Sequence, residues 1–378
     1  MKKYGILSLN IYEKDNNWGS ILQSYALQEI VKEMGYDVLI VDIHPSYIKK
    51  NEARYPFKKN FPFHIRRLFH SFNNDFINAK TYVQRDNEFR RFITSYYQKT
   101  PNLMIDQLAN EHFDGFIVGS DIVWNIEFTK GFNDLYFCNY PFMRKTNNIA
   151  YAPSMSDETY SKKEEAKFAT LLNNFTSISV REKSKAKYVE RFAKKRVDSV
   201  LDPTLLLPQN HYLKFLQENL IAKPYILVYT VPSDEALAQY VAEYAVKNGY
   251  ELVRVECLDI KEKKYKCIEK NNIGIEDWLT LIKNASIIVT NSFHACIFSI
   301  IFNKQFHAVY RNPGKTKIHD LLSELNIDNH YEKTSCYRFD ISKEIDYSSV
   351  NKRLECLISK SKNYLSEALS KEDFSLHE

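Results

Sequence analysis

The stretch Ser286-Ile-Ile-Val-Thr-Asn-Ser-Phe-His-Ala-Cys-Ile-Phe-Ser-Ile-Ile301 decides how the rest of the chain is read. Ile287 to Thr290 is a β-branched run bounded by polar residues, the pattern of a buried strand in a parallel sheet. Asn291 and Ser292 are both good N-caps, and Phe293, Cys296, Ile297, Ile300 and Ile301 follow at helical spacing. A strand therefore ends, the chain turns sharply, and a helix begins with His294 in its first turn. In open α/β sheets ligands bind in the crevice beyond the carboxyl ends of the strands. A helix N-terminus there offers free N–H groups and a positive dipole end, which suit phosphate or carboxylate. His294 stands where it could touch such an anion; the competing reading is a histidine that only caps or packs.

The same pattern recurs on either side. Tyr4 to Ile11 reads as a first strand, Asn16 to Ser20 as a turn, Ile21 to Met34 as an amphipathic helix closed by Gly35, and Tyr36 to Ile43 as a second strand. This βαβ opening lacks a GxGxxG, so nothing in it argues for a dinucleotide. Asn17 and Gly19 lie at the mouth of the first strand, and Gly19 lets the backbone come close to a packing neighbour or to a ligand. Further strands over residues 113–125, 148–154 and 177–182 bring Ser120, Asp121 and Arg181 to the same edge. Asp121 there is either a helix N-cap or a general acid or base. Arg181 is a natural fork for an anionic group. After Asp202-Pro-Thr204 the alternation restarts with strands at 225–231, 251–256 and 305–310 and helices at 234–247 and 275–283. The loop carrying Arg311 and Lys315 follows.

These elements predict an α/β chain of two Rossmann-like doubly wound domains facing across a cleft. The boundaries are residues 1–205, with a helical basic insertion at 44–110, then 206–349. A C-terminal helix at 350–378 carries Val350, Leu354, Leu357, Ile358, Leu365 and Leu369 on one face and returns to the first domain. A length of 378 residues suits two domains, and 44% hydrophobic with 26% charged residues is ordinary for a soluble protein. The formal charge of +5 is too mild to imply nucleic acid, and no nucleic-acid motif is present. Six cysteines without zinc spacing, no signal-peptide pattern and no run long enough to span a bilayer lead us to expect free thiols in a cytoplasmic protein. No residues call for a metal, and none speak to an oligomer.

Residues 44–100 are rich in Lys, Arg and aromatics, with Phe61, Phe63, Phe69, Phe72 and Phe76 among them. One reading is a helical cap whose charges are its solvated side. The other is a face that meets an anionic partner, either a phospholipid headgroup or a lipid-diphosphate sugar carrier at the inner surface of the membrane.

Five segments carry a resemblance. Asn17-Trp-Gly-Ser-Ile-Leu-Gln-Ser-Tyr-Ala-Leu-Gln28, Val118-Gly-Ser-Asp-Ile-Val-Trp124, Ile178-Ser-Val-Arg-Glu182, Val200-Leu-Asp-Pro-Thr204 and Thr290-Asn-Ser-Phe-His294 resemble, in order, the signatures of the polysaccharide pyruvyl transferase family. They span residues 1 to about 310. The resemblance implies a GT-B-like fold and transfer of the enolpyruvyl unit of phosphoenolpyruvate, a substrate rather than a cofactor, to a sugar acceptor. The implied product is a pyruvate ketal, with release of phosphate. It suggests Arg181 for an anionic group, His294 for the phosphate or a proton, and Asp121 for the hydroxyl proton. Asn17, Gly19, Ser120, Asn291, Ser292, Arg311 and Lys315 are candidates for contact with substrate. The chain departs from the family at Ala295, where many members have glycine, and at Ser292, where some have arginine; Ile122 replaces a common glutamine. Two alternatives stay open: a GT-B glycosyltransferase using a nucleotide-sugar, and a non-catalytic sugar-binding protein.

Overall fold

The computed structural model describes residues 1–9, 17–43, 83–156, 159–219, 221–255, 265–271, 273–310, 315–333, 337 and 339–371. The basic stretch before residue 83, with Phe61, Phe63, Phe69, Phe72 and Phe76, and Arg311 lie outside them. So does the side chain of Lys315, although that residue opens a helix to Glu324.

Among the described residues twelve strands form two sheets, all of their pairings parallel. The first holds β1 (Lys3–Leu7), β2 (Asp37–Ile40), β3 (Gly115–Val118), β4 (Ile149–Ala150), β5 (Ser177–Val180) and β6 (Val197–Ser199), in the order β2-β1-β3-β4-β5-β6. The second holds β7 (Tyr225–Tyr229), β8 (Glu251–Val255), β9 (Ile268–Lys270), β10 (Ile287–Thr290), β11 (Gln305–Val309) and β12 (Tyr331–Glu332), in the order β12-β11-β10-β7-β8-β9. Every residue of β3, β5, β7 and β10 is buried. That explains the near-continuous apolar runs of β3, β7 and β10, since a parallel strand is covered on both faces.

Each order reverses direction once, between β1 and β3 in the first sheet and between β7 and β10 in the second. Such switch points leave a crevice at the carboxyl ends of the strands. The topology alone therefore puts the ends of β3 and β10 at binding positions.

The opening helix begins at Trp18, three residues before the expected Ile21, and runs to Glu33. Asn17 is the reason: its side-chain oxygen accepts from the N–H groups of Gly19 and Ser20 at 3.0 and 3.3 Å, so the expected turn is already the first helical turn. Strands are shorter than the sequence suggests. Residues 148–154 yield a two-residue β4, and 113–125 yield only Gly115–Val118. Their polar ends leave the ladder to build the loops of the site.

Residues 83–96 are helical and lie on the opening helix, with Phe89 and Phe92 buried and Tyr97 Oη donating to Ile21 O at 2.8 Å. The C-terminal helix Tyr347–Ser370 starts on the second sheet's side and ends on the first. Its residues Val350, Leu354, Ser361, Leu365, Ala368 and Leu369 are buried, the spacing of one helical face. One core cluster runs through both domains, and a separate cluster lies on the far side of each sheet.

Candidate active site

Four strand ends converge on one buried cluster. After β3 the chain passes through Gly119 at φ 130°, where an added Cβ would lie 1.9 Å from the carbonyl oxygen of Tyr151, so only glycine fits. Asp121 follows at φ 69°, and its carbonyl accepts from Ser154 N at 2.8 Å. Its Oδ1 accepts from Ile122 N at 2.9 Å, while Oδ2 is buried without a hydrogen-bond partner. Arg181 leaves the end of β5 and Asp202 the end of β6. His294 enters from the second domain in the first turn of the helix Phe293–Ile301, which Ser292 caps.

Asp202 is the hub. Its Oδ1 accepts from Thr204 N and Oγ1 at 3.1 and 2.7 Å. Its Oδ2 accepts from Ser120 Oγ and Arg181 Nη1, both at 3.1 Å. His294 Nε2 stands 3.6 Å from that same oxygen, beyond a hydrogen bond but within ion-pair range. The guanidinium also meets Glu182 at 3.5 Å through Nε, lies 4.0 Å from Asp121, and sits 4.4 Å above the Phe293 ring. Side-chain exposures of 3% for Arg181, 0% for Asp202 and 9% for His294 remove the group from solvent.

Burial by itself would raise the pKa of Asp202, but the neighbouring His294, Arg181 and Thr204 outweigh it and hold the carboxyl well below the usual range. For Arg181 burial works against the charge, and Glu182, Asp202 and Asp121 together overcome it, raising the pKa. A buried guanidinium bound to carboxylates stays charged.

Several polar atoms of the cluster are left over. Arg181 Nη2, Asp121 Oδ2, Glu182 Oε2 and His294 Nε2 are all buried with no hydrogen-bond partner among the described residues. Buried polar atoms are nearly always paired, so a donor, two acceptors and an imidazole nitrogen unpaired in one place mark where a polar ligand belongs. A carboxylate beside an imidazole can steady its charged form and fix its orientation while the ring moves a proton. The free Nη2 offers a charge-assisted hydrogen bond to an anion.

Of the residues named from sequence, Ser120, Asp121, Arg181 and His294 come together. The other positions do local work. Asn17 is exposed and caps its helix, Ser292 accepts from Ala295 N at 3.4 Å, and Asn291 Oδ1 accepts from Val231 N at 2.7 Å. Gly19 touches the ring of His294: an added Cβ would lie 2.0 Å from it. Sequence reasoning passed over Asp202, Glu182 and Phe293. The signal for Asp202 was present, since it is an acid at a strand end just as Asp121 is, but its Pro203 neighbour drew the reading toward a domain exit.

Among the described residues no helix is long and apolar enough to cross a membrane, and no group of three or more His, Cys, Asp or Glu side chains is placed to hold a metal ion. The sequence profile of a family described as polysaccharide pyruvyl transferase matches residues 17–313. No curated protein is significantly similar to the chain. Among solved structures, a putative UDP-N-acetylglucosamine 2-epimerase from Listeria monocytogenes superposes with a TM-score of 0.50 at 9% identity, covering 97% of this chain and 90% of that one. The UDP-GlcNAc 2-epimerase of Methanocaldococcus jannaschii gives 0.50 at 11% identity, with 98% and 99% covered. At such identities the likeness is one of fold, two Rossmann-like domains in a GT-B-like arrangement.

Proposed function

The chain belongs to the polysaccharide pyruvyl transferase family, and from that premise we propose that it moves the enolpyruvyl group of phosphoenolpyruvate to a sugar of a bacterial surface-polysaccharide precursor. Two hydroxyls of the sugar would become bonded to C2 of the donor, C3 would gain a proton to become a methyl group, and inorganic phosphate would leave. The product is a pyruvate ketal. The observation that supports this reading most is the set of unpaired buried atoms around Arg181, Asp121 and His294. Phosphoenolpyruvate brings a carboxylate and a phosphate, and Arg181 Nη2 is a buried cationic donor with no hydrogen-bond partner among the described residues.

In this scheme Arg181 holds an anionic group of the donor. Asp121 Oδ2 takes the proton of the attacking hydroxyl. His294, with Asp202 as its counter-charge, binds the departing phosphate or delivers the proton to C3. As the oxocarbenium-like centre forms at C2, the surrounding carboxylates stabilise it. We place the reaction on the cytoplasmic side of the membrane because its donor is a cytoplasmic metabolite, and we take a lipid-linked sugar as the leading acceptor.

The test is phosphate release from phosphoenolpyruvate with a panel of lipid-linked sugars. Acceptor-dependent release, with the added mass of a ketal on the sugar, is the expected result. Turnover of a nucleotide-sugar with phosphoenolpyruvate untouched would make the protein a glycosyltransferase of the same fold. Binding of a sugar with no turnover of either donor would make it a binding protein.

A further inference from the structure

His294 is brought to Asp202 from the other domain, so its placement depends on how the two domains meet. One residue that joins them next to the site is Trp18. It stands in the first turn of the first domain's opening helix, with its indole 1% exposed. Its Nε1–H donates to the carbonyl of Gly274 at 2.9 Å. Gly274 caps the second-domain helix Ile275–Asn284, and Trp278 of that helix lies parallel to Trp18 with ring centres 5.8 Å apart and planes 7° from coplanar. The Arg85 guanidinium covers Trp18 at 4.3 Å. Beside this contact Arg91 reaches Glu276 at 3.2 Å, and an added Cβ on Gly274 would come within 2.8 Å of Glu88.

The next residue is Gly19, whose backbone rests on the imidazole of His294. The ring is therefore held between the start of the opening helix and Asp202, 3.6 Å away. Its hold fails if the domains part. A misplacement of about 1 Å at a reacting group can cost on the order of a hundredfold in rate.

We propose that Trp18 is a positioning residue: clasped to Gly274 and Trp278, it latches the two domains together and, through Gly19, sets His294 beside Asp202. The inference rests on the proposed function for its kinetic arm but not for its structural one.

The experiment compares Trp18→Ala, Trp18→Phe and Trp278→Ala with the unmodified protein. Phosphate release and hydrogen–deuterium exchange are both measured. Either alanine variant should lower kcat by about ten- to a hundredfold with KM for phosphoenolpyruvate changed less than threefold. Trp18→Phe keeps a stacking ring and should recover most of the loss. Exchange should quicken in residues 275–284 and 293–301, on the domain opposite the mutated Trp18, while β3 and β5 stay protected. Unchanged kcat in Trp18→Ala, or faster exchange spread evenly over the first domain, would reduce Trp18 to ordinary core packing. If an alanine variant does not fold, Trp18→Phe and the variant on the other domain carry the same comparison. If no acceptor supports phosphate release even in the unmodified protein, the activity reading falls. The exchange pattern then decides the latch by itself.

Discussion

Asp202 Oδ2 is the atom on which Arg181, Ser120 and His294 all bear, and its substitution is the sharpest single-residue probe. Asp202→Asn keeps the shape but leaves the buried guanidinium without its nearest counter-charge, a change of about 3–5 kcal/mol. A marked drop in melting temperature is expected together with loss of phosphate release; a variant as stable and active as the parent would remove Asp202 from the hub. The pH dependence follows from the same contacts. The folded carboxyl titrates below its unfolded value, so the unfolded chain binds the extra proton first, and the stabilisation present above about pH 4 is lost as the pH falls further. His294→Ala should cut turnover by about two to four decades with the fold intact, the range for a positioned acid or base; near-parental turnover would return His294 to a capping and packing role. Gly19→Ala separates two opposed effects. Alanine favours a helix over glycine by about 1 kcal/mol, yet its methyl would lie 2.0 Å from the imidazole, which no packing tolerates. Steady-state kinetics should show kcat reduced more than stability, and unaltered kcat would mean the ring can yield. At this scale the site was half legible. Arg181, Asp121 and His294 could be found because each stands at a strand end. Nothing in the chain announces that Asp202 would bind two of their groups, because that depends on how far apart β5, β6 and β10 come to lie.

Elements show another buried pair. β11 carries His307 inward, its ring 5.2 Å from that of His330 just before β12, with Nε2 3.1 Å from the carbonyl of Ile341. Burial, reinforced by His330, lowers the pKa of His307 to about 4, and burial also lowers that of His330. Lys343 opposes protonation of both rings, while Asp340 favours it for His307. In the unfolded chain a histidine titrates near 6.5, so between about pH 6.5 and 4 the unfolded state binds protons that the folded state refuses. Stability contributed by His307 should therefore fall as the pH drops through that window, by on the order of 3 kcal/mol in total. Urea denaturation of His307→Gln should show a flatter slope between pH 6.5 and 4 than the parent. An identical slope would mean that the ring is charged, or wet, in the folded protein. The sequence displayed β11 as a strand but not β9 or β12, whose three and two residues offer too little periodicity to be told from loop. The helices Lys162–Leu172 and Lys183–Ala193 were also passed over, although Ser161 with Glu164 forms a capping box ahead of the first.

For the whole molecule the decisive element is the C-terminal helix, which fastens each domain to the other. At its start Tyr347 Oη donates to the carbonyls of Ser299 and Lys304, and Gln305 pairs with the backbone of Ile345 through both its amide atoms, all in the second domain. Toward its end it lies against the first sheet. Ser361 Oγ accepts from Leu201 N at 3.0 Å, Tyr364 Oη donates to Ala150 O at 3.0 Å, and Tyr4 Oη donates to Leu369 O at 2.9 Å. Buried Asn147 donates to both Tyr4 Oη and Ala368 O at 2.9 Å. The apolar spacing from Val350 to Leu369 made the helix itself legible. Its landing place was not, because the polar atoms that receive it come from residues 4, 147, 150 and 201, far apart in the chain. Removing the helix would lose the burial of Leu365 and Leu369, each worth about 1.5–3 kcal/mol, expose the face of the first sheet they cover, and leave Asn147 and Tyr4 with unmet hydrogen bonds at about 1–3 kcal/mol apiece. These losses fall on the first domain alone. The full chain should thus melt in one calorimetric transition, because the shared core and this helix couple the two halves. A chain ending at residue 346 should melt in two steps, the earlier one accompanied by loss of exchange protection in β1 and β4 but not in β10 or β11. A truncated chain that still melts as one would show that the core between the domains, rather than the helix, makes the molecule cooperative, and two well-separated transitions in the full chain would show that neither of them couples the halves.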